Sequence, residues 1–166
     1  SIDKKLAVTN GSLVKVEFDK PKWQAVAAKR FPGGIPVPSS ADPTQWLFDG
    51  QVQRSDSPLQ VAVARLVGYR WPRQTGSSFL GCPAVRDDQL DEHSDRDGIV
   101  ALSPVKGEQR AVARLTALLA DAFRDDWSAA KLETLLSQVG CAGKTLDDWL
   151  RDAFFEQHCE LFHQRP

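Results

Sequence analysis

Apolar positions recur at helical spacing through the second half of the chain, whereas in the first half they come in short runs separated by turn residues. In "KLAVTNGSLVKVEF", residues 5–18, two runs rich in Val and Leu flank Asn10-Gly11. That pair accepts the positive φ angles of a tight hairpin turn, so a β-hairpin is expected. Asp19 ahead of Pro21 reads as a helix cap, and Trp23, Val26, Ala27 and Phe31 then fall on one helical face until "PGG" at 32–34 stops the helix. From there to residue 54, prolines and glycine turns alternate with Ile35, Val37, Trp46, Leu47 and Phe48, the pattern of an ordered loop pinned by apolar side chains. Ser57-Pro58 opens the next helix, Leu59, Ala62, Val63 and Leu66 give its stripe, and Gly68 marks its end.

The irregular, aromatic "GYRWPRQTGSSFLGCP" and an acidic loop lead to "GIVAL" at 98–102, a short strand candidate. Val112, Leu115, Leu118, Leu119, Ala122 and Phe123 make one helical stripe, and Leu132, Leu135, Leu136 and Val139 make a second, started by Ser128 and stopped by Gly140. Thr145 with Asp148 three residues on starts a closing helix through residue 163. The pattern predicts an α+β fold, predominantly α, with four or five helices, a small N-terminal β-hairpin and a short strand. It divides into residues 1–54, holding the hairpin, a short helix and the loop, and a helical domain at 55–166, the two forming one compact unit.

As one straight helix, residues 146–163 carry two apolar faces. Leu146, Trp149, Leu150, Ala153, Phe154 and Leu161 share one, and Phe155, Cys159 and Phe162 lie almost opposite. A helix apolar on two sides is normally covered on two sides, so Phe155, Cys159 and Phe162 are candidate interface residues for the rest of a polypeptide, a partner or a second copy. Burial by the N-terminal hairpin and loop is the alternative.

Charge changes this picture only locally. The net charge is −1, which gives no overall attraction to nucleic acid. Residues 1–31 nevertheless carry +4, residues 54–73 carry +3 and residues 86–97 carry −4. No apolar run approaches the roughly 20 residues of a membrane span, and no secretion leader opens the chain. Three separated cysteines, Cys82, Cys141 and Cys159, suit a reducing compartment such as the cytoplasm better than a disulfide framework. The lack of any methionine, with Ser1 first and Pro166 last, suggests a segment of a longer polypeptide.

Motifs for chemistry are few. His158, Cys159 and His163 fall short of a zinc set, since only Cys159 and His163 share a face and three or four ligands are required. "HSDRDGIV" imitates a calcium loop at His93, Asp95, Asp97 and Gly98, but Pro104 stands where the bidentate glutamate belongs. Asp147 and Asp148 are explained by the dipole of the helix they open. There is no phosphate-binding loop and no nucleophile elbow, so no catalytic, metal or cofactor residue is assigned. "YRWPRQ" is the best binding candidate. Tyr69 and Trp71 offer flat rings, and Arg70 and Arg73, with Arg54 and Arg65 nearby in sequence, offer planar donors suited to phosphate. The competing expectation is that Trp71-Pro72 packs inside while the arginines pair with the acidic loop.

The stretches "DSPLQVAVARLVGYRWPRQ", "DRDGIVAL" and above all "LDDWLRDAFFEQHCELFHQRP" resemble a region of large bacterial adenine-specific DNA methyltransferases of restriction-modification and BREX-like phage-defence systems. The resemblance covers about residues 55–166. The family's catalytic Asn-Pro-Pro-Tyr/Phe signature and its S-adenosylmethionine-binding glycine turn do not occur in this sequence. The resemblance therefore implies a non-catalytic helical spacer or DNA-engaging domain, C-terminal to a catalytic domain that would bind S-adenosylmethionine. Its partners would be DNA and the remainder of the parent polypeptide, with no membrane. A protein-protein interaction module docking onto a catalytic domain or another defence-system subunit is the alternative.

Overall fold

A computed structural model of the chain describes residues 11, 14–15, 17–77 and 82–163. The chain divides into two compact units, residues 1–37 and 38–166. All regular structure among the described residues is helical: six α-helices and two short 3₁₀ turns.

The first unit contributes α1, Lys20–Arg30. It starts as its sequence dictates, with the Asp19 carboxylate accepting the Lys22 N–H at 3.0 Å and Pro21 in the first turn, where a missing amide hydrogen costs nothing. Phe31 closes it by donating its N–H to Ala27, and Gly34 turns the chain away at φ +94°. No residue of α1 is buried.

The second unit is built around α2, Pro58–Leu66, which buries Leu59, Gln60, Val61, Ala62, Val63, Arg65 and Leu66. The expected Ser57 side-chain cap is not made. Instead the Ser57 N–H donates to Ser55 Oγ at 2.9 Å, so the turn before the helix is held from behind. Gly68 (φ +84°) ends α2 as expected, with the Tyr69 N–H reaching back to Ala64 and the Gly68 N–H to Arg65. The loop from residue 38 packs inward through Phe48 and Val52, both buried to about the same degree as Leu59.

α3, Ala111–Phe123, buries Ala111, Leu115, Leu118, Leu119 and Phe123, close to the stripe read from its spacing. A 3₁₀ turn at Arg124–Asp126 leads to α4, Ala129–Gln138, capped by Ser128 Oγ on the Lys131 N–H and buried through Leu135 and Leu136. α5, Leu146–Asp152, opens with a reciprocal capping box between Thr145 and Asp148. The Thr145 hydroxyl and amide, then Arg151, hold the Asp148 carboxyl down to about 2.

Three expectations are corrected. The α+β class gives way to an all-helical one, with no strand among the described residues. The hairpin expected at 5–18 lies mostly outside the described residues, and those of its positions that are described hold no strand. At 98–102 the strand fails for a local reason. Asp95 Oδ1 accepts the N–H groups of Asp97 and Gly98 at 3.0 and 3.1 Å, and Asp97 Oδ1 accepts that of Ile99 at 3.0 Å, so carboxylates take the donors a ladder would need. Ile99 points to solvent.

The closing helix is also not continuous. It breaks at Ala153 (φ −130°, ψ −29°) into α5 and α6, Phe154–Leu161. Phe154 then packs edge-on against Trp149, the ring centroids 5.4 Å apart. Trp149, fully buried, donates its indole N–H to Gln157 Oε1 at 2.9 Å, and Gln157 Nε2 donates to the Val139 carbonyl at 2.9 Å. The break thus lets one indole tie α5, α6 and the end of α4 together.

Candidate functional site

The basic and aromatic residues singled out from the sequence separate into an inner and an outer set. Arg65 is the innermost, 1% exposed on the helix that runs through the core. Its guanidinium donates to both Asp88 oxygens, at 2.9 and 2.7 Å, to Asp91 Oδ1 at 3.0 Å and to the Gly50 carbonyl at 3.1 Å. Burial works against its charge, but hydrogen bonding and attraction to Asp88 and Asp91 outweigh this and raise its pKa. Burial likewise pushes the Asp88 carboxyl up, and Arg65 more than reverses the effect. Removing the carboxylates would leave an uncompensated guanidinium in the core. Arg65 therefore fastens the acidic loop to α2 and presents no face to a phosphate.

Trp71, 2% exposed, is the second inner residue. Its indole N–H donates to the Pro43 carbonyl at 2.8 Å, and its ring meets Phe48 edge-on at 5.1 Å. Gly50 is required beneath it: at φ +74°, a Cβ there would lie 2.7 Å from the Trp71 ring and 2.2 Å from Gln74 Oε1. Trp71 is thus the peg that holds the loop 42–50, and it cannot stack on a base.

The outer set surrounds this peg. Tyr69 is exposed and stands edge-on to Trp71 at 4.7 Å. Arg70, half exposed, pairs with Asp91, the same carboxylate that Arg65 uses. Arg73 donates through Nε to the Pro83 carbonyl at 3.2 Å. Arg54 is 71% exposed, with Gln51 Oε1 at 3.1 Å and Asp49 at 3.9 Å. Pairing with the acidic loop, expected as the alternative to a binding role, accounts for Arg65 and Arg70, while Arg54, Tyr69 and Arg73 keep solvent-facing surface.

The interface residues also part company. Phe155 is 74% exposed. Cys159 is half-buried, and Phe162 is half-buried with its ring 4.6 Å from that of His158. His158 lies in turn 5.5 Å from Phe154. Along α6 and its C-cap these three residues therefore differ in exposure, Phe155 alone being fully outward.

The polar residues that the sequence reading passed over are Gln60 and Gln157. Gln60 Nε2 donates to the Phe154 carbonyl at 3.4 Å, and its Oε1 faces His158 Nδ1 at 3.3 Å. Burial lowers the His158 pKa below its ordinary value. With Ser57, Val139 and Leu161 the two glutamines line an open groove of about 440 Å³ between the start of α2 and α6. Their amides are already engaged within the protein, so the groove is a seam between helices. A lone Gln inside the apolar run "PLQVAVARL" was the available signal.

Among the described residues no group of three or more His, Cys, Asp or Glu is placed to hold a metal. Asp95, the centre of the calcium-like loop, is bound by the Arg114 guanidinium. All three cysteines are free, and no helix among the described residues is long and apolar enough to cross a membrane. Compared with protein-family models, curated proteins and solved structures, the chain matches none.

Proposed function

We propose that residues 55–166 act as a non-catalytic helical spacer of a DNA adenine methyltransferase, holding DNA toward a catalytic domain that binds S-adenosylmethionine elsewhere in a longer, cytoplasmic chain. The observation that supports the reading most is the contact between the two stretches that resemble this family. Gln60, in the first, bonds to Phe154 and His158 in the second, across 94 and 98 residues of sequence. Both stretches are also core-forming, the first through Leu59, Val61 and Leu66, the second through Leu146, Trp149 and Leu150. A spacer is a part whose characteristic residues maintain a shape, and these do.

The reading frame around this segment tests the parentage. An Asn-Pro-Pro-Tyr/Phe signature upstream in the same frame is expected. A start codon at residue 1 with a stop after residue 166 overturns the assignment. DNA contact falls to the outer residues, Arg54, Tyr69, Arg70 and Arg73. An Arg54→Ala/Arg73→Ala chain, which leaves the Arg65 network intact, should bind duplex DNA more weakly than the parent at low salt. Equal binding removes the patch from the proposal.

A second reading, docking of this domain onto its own catalytic domain or another subunit, is favoured by one residue, Phe155, an exposed large ring beside a well-packed helix pair. Phe155→Ser should leave melting unchanged and weaken association with a separately expressed catalytic part. Unchanged association excludes that ring as the contact.

A further inference from the structure

The strongest unexplained surface is on α1. About 100° of rotation per residue places Lys22, Trp23, Val26, Lys29 and Arg30 within an arc of about 120°. All five are exposed, Trp23 by 51%. Among the described residues none of the cations of α1 enters an ion pair, whereas in the second unit Arg54, Arg65, Arg70, Arg110, Arg114 and Arg151 all do. Two of the α1 cations lie instead over rings, Lys22 at 5.9 Å from the Trp23 centroid and Arg30 at 5.6 Å from that of Phe31. Both cations stay exposed to solvent all the same, so an anion can reach them.

We propose that this face of α1 is a DNA-backbone contact, in which Lys22, Lys29 and Arg30 meet phosphates and Trp23 supplies a flat apolar ring beside the sugars and bases. Charge complementarity selects the occupant: residues 1–31 carry +4, and a polyanion of regular spacing is the partner such a surface fits. A membrane surface fits less well, because an interfacial helix needs a broad apolar side to sink into the acyl boundary. Here the side opposite Lys22, Lys29 and Arg30 offers Lys20, Pro21, Gln24, Ala25 and Ala28. The choice of DNA among polyanions rests on the methyltransferase reading. The contact itself uses residues outside the segment that carries that reading.

The test is titration of the full 166-residue chain with fluorescein-labelled duplex DNA from about 50 to about 200 mM salt. A Lys22→Ala/Lys29→Ala/Arg30→Ala chain should bind about tenfold more weakly at the lower salt. The slope of log K against log salt should fall by about 3, one per lost phosphate contact. A chain carrying Lys22→Arg, Lys29→Arg and Arg30→Lys should bind as the parent does, and circular dichroism should show all of them equally helical. Parent-like binding by the alanine chain, no DNA binding by the parent, or binding to phosphatidylserine vesicles in place of DNA each overturns the inference. If the alanine chain binds as the parent while Arg54→Ala/Arg73→Ala loses affinity, the α1 contact falls and the outer patch stands. The reverse pattern removes the patch and keeps α1.

Discussion

Arg65 and Arg30 are both helical arginines near the C-terminal end of their helices, yet they have opposite fates. Arg65 sits on a helix with seven buried residues, and its guanidinium is enclosed by Asp88, Asp91 and the Gly50 carbonyl. Arg30 sits on a helix with none, over the ring of its neighbour Phe31 and without a carboxylate among the described residues. In the second unit several arginines are taken up by the architecture: Arg65 and Arg70 share Asp91, Arg114 takes Asp95, and Arg110 meets Asp147 with two bonds of 2.8 Å. In α1 it is left outward. Positive charge in a sequence thus has two meanings, and only the presence of an acidic segment within reach separates them. The −4 stretch at 86–97 supplies that segment for the arginines of α2 and the loop after it.

The sharpest way to break this contrast is to remove Arg65. Arg65→Met should lower unfolding stability by about 3–5 kcal/mol, since Asp88 and Asp91 would lose their buried counter-charge. Urea denaturation measures it, and a loss near zero would mean that the network is ornamental. Trp149→Ala should cost about as much, roughly 3–5 kcal/mol, because it opens a void and leaves Gln157 without its donor.

Arg110→Ala tests a half-exposed pair, 40% and 34% exposed at its two side chains. About 0.5 kcal/mol is expected, with strong dependence on salt. Lys29→Ala/Arg30→Ala should leave the urea midpoint where it is, and a drop comparable to that of Arg65→Met would show that α1 is as embedded as α2.

Acidification gives the smallest effect. His158 is held neutral by burial between Phe154 and Phe162. Its folded pKa lies below 6.5, so the unfolded chain takes up the proton first. The contribution of this neutral ring is present above pH 6.5 and is lost as pH falls through the folded pKa. The urea midpoint should therefore decline on that acid side, and His158→Phe should flatten the decline. Glu156 and Glu160, on the same helix, are the nearby carboxylates in sequence that such a titration must resolve separately.

Much of the helical structure was legible. The cap at Asp19, the cap at Ser128 and the Thr145–Asp148 box are all made as read, and the Leu115–Phe123 and Leu135–Leu136 stripes are buried. These are signals within one turn of chain, where side chain and backbone meet whatever the rest does. The strand at 98–102 was misread for a reason that is also local. Asp95 and Asp97 compete for the backbone donors of a β-prone segment, and without a neighbouring strand the carboxylates win. The candidate site was legible only as a list. Nothing in "YRWPRQ" says that Trp71 turns inward while Tyr69 stays out, because that depends on Phe48 and Pro43, more than 20 residues earlier.

What the sequence determined alone is where most of the helices start and which faces of α3 and α4 are apolar, because capping and periodicity act over three or four residues. What only the tertiary structure decided is which charges are free. An arginine is drawn into the core or left on the surface according to the carboxylates that folding brings to it. It took the packing of the 86–97 segment against α2 to commit Arg65 and Arg70, whereas Lys22, Lys29 and Arg30 on α1 stay exposed with no ion pair among the described residues.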